Sequence, residues 1–153
     1  RTYYNLVNDK VRTLNRMLGE PDKKDRVEDV SQAHLRPIYQ LSPFVSEQEE
    51  PAFFEHMPGC KAVRWHEIFM DVIPLDGGKP VGMDHVLEYY GIDLADTMAF
   101  GDGGNDVEML RHAGIGVAMG NALDEVKQAA DYVTDTVDDE GVANALKHFG
   151  LID

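Results

Sequence analysis

The sequence predicts an α/β fold built on a doubly wound parallel sheet, with a smaller mixed α/β unit ahead of it. Three observations lead there. Residues 97–100 are a short apolar run ending in the glycine-rich turn Gly101-Asp-Gly-Gly-Asn-Asp106, after which Val107, Leu110 and Ala113 mark one face of a short helix closed by Gly114. Residues 115–122, 124–130 and 131–135 then repeat the order of apolar strand, polar helix and strand with short connections. Upstream, Gly77-Gly-Lys-Pro80 opens a helix whose apolar residues Met83, Val86, Leu87 and Tyr90 fall at the i, i+3, i+4, i+7 spacing.

The remaining elements follow in chain order. Val7, Val11, Leu14 and Leu18 trace a helical stripe over residues 4–19, ended by Gly19 and Pro21. Residues 35–41 read as a strand near a sheet edge, because Pro37 offers no N–H to a ladder. Residues 46–56 have a Ser-x-x-Glu capping pattern and a helical run stopped by Pro58-Gly59. Residues 60–65 and 68–73 read as a hairpin joined near His66-Glu67. The character of the chain changes at residues 74–78, which divides it into a unit over 1–75 and a unit over 76–153. Val142, Leu146 and Phe149 give the last helix a core-facing stripe.

The turn at 101–106 carries the chemistry. The alternation places Asp102 at the carboxyl end of a buried strand, where open α/β sheets bind ligands. Mg²⁺ takes hard oxygen ligands, commonly one or two carboxylates together with waters and a phosphate oxygen. Asp102 fits that role, Asp106 can hold a metal-bound water or fix the loop, and Asn105 can donate its amide to a phosphate oxygen. The opening of the following helix turns free N–H groups toward an anion. Lys79, at a helix entrance one helix before the Asp102 strand, adds a point positive charge on the same edge of the sheet. A cation is needed there, since two like unit charges ~4 Å apart repel by ~4 kcal/mol at an effective dielectric of about 20. The plain alternative is a surface turn with a helix cap, which selects the same residue types.

Taken together, Gly101-Asp-Gly-Gly-Asn-Asp106, Met109-Leu110, Gly116-Val-Ala-Met-Gly-Asn-Ala122, Ala130-Asp-Tyr-Val-Thr134 and the placement of Lys79 resemble the late motifs of haloacid dehalogenase-like (HAD) phosphatases, most closely the Cof-type subclass IIB branch. The resemblance covers about half the chain, from Lys79 onward. It implies a Rossmann-like core with Lys79, Asp102 and Asp106 catalytic, Lys79 and Asn105 on the phosphate, and Mg²⁺ held by Asp102 and Asp106. It also implies that residues 1–75 belong to an α/β cap closing over the substrate, which makes Arg64, Trp65 and His66 candidates for recognition against the simpler roles of packing and cross-strand pairing. The implied reaction is hydrolysis of small phosphorylated metabolites, such as sugar phosphates, through an aspartyl phosphate. The family's Asp-x-Asp nucleophile strand has no counterpart: Asp22 and Asp25 lack a preceding apolar strand. The chain, starting at Arg1, therefore reads as the C-terminal part of a longer protein, inactive alone, exposing an apolar edge that favours self-association or pairing with the missing N-terminal half of its core. A phosphomutase or sucrose-phosphate-type phosphatase would share the late motifs, and a non-catalytic phosphate-binding module would keep the pocket without a nucleophile.

Composition bounds these readings. The 153 residues are 43% hydrophobic, enough for a core, and the formal net charge of -14 argues against a nucleic-acid partner. Cys60 is the single cysteine, so no internal disulfide forms and a reducing, cytoplasmic setting is expected. No stretch is long and apolar enough for a membrane partner. Gly114, Gly116 and Gly120 lack dinucleotide-fingerprint spacing, and the six histidines lack metal-ligand spacing.

Overall fold

The computed structural model describes residues 3–20, 26–35 and 37–153; Arg1, Pro21, Asp22, Asp25 and Arg36 lie outside the described residues. Among the described residues eleven helices and strands follow in order: α1 (Asp9–Met17), α2 (Glu50–Phe54), β1 (Cys60–His66), β2 (Phe69–Pro74), α3 (Lys79–Tyr90), β3 (Met98–Gly101), α4 (Val107–His112), β4 (Ile115–Ala118), α5 (Asp124–Ala129), β5 (Tyr132–Val133) and α6 (Gly141–His148). The strands form two sheets, an antiparallel β1–β2 hairpin and a parallel sheet of order β3-β4-β5.

The parallel sheet follows from the alternation read in the sequence. Met98 to Gly101 pair in register with Ile115 to Ala118, and Val117 and Ala118 pair with Tyr132 and Val133. The crossover helices α4 and α5 cover one face, where Ala99, Leu110, Ala118, Ala122 and Val126 form a buried cluster. The small side chains on the sheet let α4 lie close to it. This packing holds the carboxyl end of β3, and the turn after it, in a fixed position. No helix among the described residues is long and apolar enough to cross a membrane.

The hairpin buries Phe69, Met70 and Val72, and a bulge shifts its register between Val63 and His66. It sits directly against the turn after β3. Lys61 of β1 pairs with Glu108 of α4 at 2.9 Å. An added Cβ on Gly104 would lie 2.7 Å from the Arg64 carbonyl oxygen, so only glycine admits so close an approach.

Four expectations are corrected. The first helix begins at Asp9 rather than residue 4, because Asn8 caps it by accepting from the Val11 N–H at 3.2 Å, and Tyr4 instead bridges Val27. Among the described residues the strand expected over 35–41 does not form. Only Leu41 pairs, exchanging hydrogen bonds of 3.1 and 2.7 Å with Val72, while Pro37 has no N–H to extend the ladder. On α3, Met83 and Leu87 are half-buried, but Val86 (54%) and Tyr90 (69%) are exposed, since α4 covers only part of the stripe. On α6 the buried residues are Gly141 and Ala145, whose small size permits close packing, whereas Val142 is exposed. The capping at Ser46 is present: Glu49 accepts from the Ser46 N–H and hydroxyl, each at 2.8 Å, and starts a 3-10 turn leading into α2.

Candidate functional site

The turn at 101–106 is organised by the side chain of Asp106, which is almost fully buried. One oxygen, Oδ2, accepts the backbone N–H groups of Asp102 and Gly103 at 3.0 and 3.1 Å. The other, Oδ1, accepts from Nζ of Lys79. Gly101 makes room for this, because a Cβ there would lie 2.4 Å from that of Asp106. Burial pushes the Asp106 carboxyl up, but the Lys79 ammonium and the Gly103 and Asp102 N–H groups outweigh it and hold the group below its ordinary value. Asp106 is thus an ionised internal brace.

Asp102 is the opposite case. It projects into solvent at the end of β3, and its Oδ2 accepts from Nδ2 of Asn121 at 3.4 Å. Two neighbouring carboxylates therefore divide their work: one holds the loop and the other is open to a ligand. That donor set fits Mg²⁺ through Asp102, an exposed hard oxygen donor. Asp106 has both oxygens engaged, which suits bracing better than direct ligation. No group of three or more His, Cys, Asp or Glu able to hold a metal occurs among the described residues.

Lys79 and Asn105 line a cleft of about 560 Å³ between the hairpin and the turn, together with Ala62, Asp71 and Glu108. Lys79 is the first residue of α3, with Pro80 in its first turn, and its side chain is 45% exposed although its ammonium reaches Asp106. Asn105 lies within the 3-10 turn Gly104–Asp106 that opens α4. Lys79, Asn105, Asp102 and Asp106 are thus gathered at one end of the sheet.

The hairpin candidates have other occupations. Arg64 borders the cleft, yet its five N–H donors are engaged within the protein. It donates to Glu50 through Nε (3.0 Å) and Nη2 (2.5 Å), to the carbonyls of His66, Glu67 and Phe69 through Nη1, and to that of Val45 through Nη2. This stitches the hairpin turn to α2. Trp65 donates to Asp71 at 3.2 Å and packs edge-on against Phe69, while the His66 ring stacks on Phe69 and accepts from the Ile68 N–H. Neither lines the cleft. Sequence reasoning assigned no role to Asn121, Glu50 or the Lys61–Glu108 pair; of these only Asn121, in Gly120-Asn-Ala122, stood within a motif already singled out.

Comparison with known proteins places this geometry in context. The relative YkrA from Bacillus subtilis is 46% identical over 117 residues, which are 76% of this chain and 45% of that protein. The HAD subclass IIB sugar phosphatase BT4131 superposes with a TM-score of 0.86 at 40% identity, covering 95% of this chain and 56% of that one. The phosphatase BT1666 from Bacteroides thetaiotaomicron does so with a TM-score of 0.85 at 39% identity, covering 97% and 55%. The chain thus spans about half the length of these relatives. The family model described as haloacid dehalogenase-like hydrolase matches residues 2–146, and with the Rossmann-like sheet and the turn at its carboxyl edge this shows that the chain belongs to the haloacid dehalogenase-like hydrolases.

Proposed function

We propose that the intact protein is a Mg²⁺-dependent phosphatase for small phosphorylated metabolites such as sugar phosphates, working through an aspartyl phosphate whose nucleophile lies outside this chain. The observation that carries the reading is the open Asp102 carboxylate beside a Lys79–Asp106 brace at the carboxyl edge of a parallel sheet. The relatives named as phosphatases support it.

In this reading Lys79 contacts the phosphate and holds it against the cleft, its ammonium aimed by the Asp106 carboxylate. Asn105 donates its amide to a second phosphate oxygen. Asp102, with help from Asp106 through a water, would hold the Mg²⁺, which would offset the charge of the phosphate and of the facing carboxylates. The nucleophilic carboxylate forms a bond to phosphorus as the ester oxygen leaves with a proton; water then splits the acyl phosphate, returning the carboxylate and releasing phosphate. The hairpin would supply the wall facing the leaving group; of its three candidates only Arg64 borders the cleft, where it would act through shape rather than by direct donation.

The missing partner in this reading is the N-terminal half of the core. The exposed apolar residues Val86, Tyr89 and Tyr90 on α3, and a β3 strand paired on one side only among the described residues, support a covering segment there. A cytoplasmic location, without nucleic-acid or membrane partners, accords with the charge of -14 and the single cysteine.

The test is to assay full-length protein and the 153-residue chain against a panel of sugar phosphates with Mg²⁺. Phosphate release is expected from the full-length protein and none from the chain alone. Release by the chain alone overturns the missing-nucleophile reading, and binding without release by the full-length protein favours a phosphate-binding module. Isomerised rather than hydrolysed product identifies a mutase.

Lys79→Ala in the full-length protein is expected to lower kcat/KM by about 100-fold, the scale of removing one preorganised donor to a developing charge. It also leaves the buried Asp106 carboxylate without its cation, so a lower thermal midpoint accompanies the loss. A fallen midpoint with unchanged turnover would assign Lys79 to structure alone.

A further inference from the structure

Asn121 has both ends of its amide engaged. Its Oδ1 accepts the backbone N–H of Val137 at 3.1 Å, and its Nδ2 donates to Oδ2 of Asp102 at 3.4 Å. The first bond decides the second: with the carbonyl oxygen held by an N–H, the NH₂ group must face the carboxylate, and the flipped amide would set oxygen against oxygen. The Val137 N–H is itself held in place. Val137 begins the 3-10 turn Val137–Asp139, and Thr136 donates from Oγ1 to Asp139 at 2.6 Å. From α6, Asn144 donates to the Asp135 carboxylate at 2.9 Å and to the Asp139 carbonyl at 3.0 Å. Gly120 N–H donates to the Asp135 carbonyl at 3.0 Å, tying the residue before Asn121 to the same loop.

We propose that Asn121 is a positioning residue for Asp102, transmitting the fixed geometry of the loop between β5 and α6 to the one carboxylate of the turn that is open to a cation. The inference rests on the reading of Asp102 as a Mg²⁺ ligand. A solvent-exposed carboxylate rotates freely about its last torsion unless a neighbour selects an orientation, and Asn121 is the side chain that does so here. Because both residues are exposed, the bond adds little to folding stability. Positioning and structural roles are therefore separable by measurement.

The experiment uses full-length protein and titrates Mg²⁺ by calorimetry, with thermal midpoints recorded in parallel. Asn121→Ala is expected to weaken Mg²⁺ binding by about tenfold, the lower end of what loss of an outer hydrogen-bond partner does to a metal site, with an unchanged midpoint. Val137→Pro removes only the N–H that Asn121 accepts. The substitution suits the site, since Val137 is exposed, begins a 3-10 turn and follows Thr136 at φ -69°, ψ 167°. It is expected to weaken Mg²⁺ binding in the same direction by a smaller factor. Wild-type affinity in either variant, or a weakened affinity that comes with a fallen midpoint, overturns the assignment. Asp102→Ala run alongside distinguishes the deeper failure: wild-type affinity there removes Asp102 as a ligand, and the role of Asn121 with it.

Discussion

Asp102→Ala in the full-length protein is expected to abolish Mg²⁺-dependent phosphate release while the thermal midpoint stays within reach of wild type. Both halves of the expectation come from the same fact, the exposure of the Asp102 carboxylate at the end of β3. Its one hydrogen bond, 3.4 Å from Asn121, contributes little to folding in water, and the N–H of Asp102 is satisfied by Asp106 whatever its own side chain is. Removal therefore leaves the turn intact. What is lost is a full negative charge where the proposed cation sits, and each ~1.4 kcal/mol of lost transition-state stabilisation lowers the rate tenfold. Phosphate release across a sugar-phosphate panel at rising Mg²⁺ is the measurement, with circular dichroism and melting as the control. Turnover equal to wild type would remove Asp102 from the mechanism.

Much of the parallel sheet was legible because its signals are local. The strand-turn-helix alternation after residue 77 sets the period of apolar residues, and Gly101 and Gly104 mark a turn that admits no larger side chain at those positions. Asp102, Asn105 and Asp106 are together because they share one turn, and Lys79 joins them from the first residue of α3 through its pair with Asp106. Less legible was whatever depends on distant surfaces. Val86 and Tyr90 carry a correct helical spacing on α3 yet stay exposed, since periodicity says which face is apolar but not what covers it. Of the strand expected at 35–41, the described residues pair with β2 through Leu41 alone. Arg64 looked like a ligand-binding cation, and only the positions of Glu50, Val45 and the hairpin carbonyls show its donors spent within the fold.

The division of labour between Asp102 and Asp106 lies at the same limit. Residue type and spacing make both metal candidates; lone-pair use separates them. Asp106→Ala is therefore expected to cost stability as well as activity. Alanine there removes the acceptor of two backbone N–H groups and of Lys79 Nζ at a site 5% exposed. Breaking a buried pair by deleting one partner costs about 3–5 kcal/mol, and the partial exposure of Lys79 brings the expected loss to about 2–3 kcal/mol. Because the freed N–H groups belong to Asp102 and Gly103, the same change lets the Asp102 backbone move, and phosphate release should fall together with stability. Asp106→Asn isolates the charge: it keeps an acceptor for the backbone but loses the ion pair. The pH dependence follows in sign. The Asp106 carboxyl is held below its ordinary value of 3.8, so its contribution is complete above that value and is lost as pH falls through the lower folded-state value. Wild type should therefore lose stability on acidification across this range more steeply than Asp106→Asn, which has no carboxyl to protonate. Parallel melting curves for the two proteins, taken stepwise downward from about pH 6, measure the difference. Equal slopes would mean that the Lys79–Asp106 pair holds no charge in the fold, and the brace would then be a matter of shape alone.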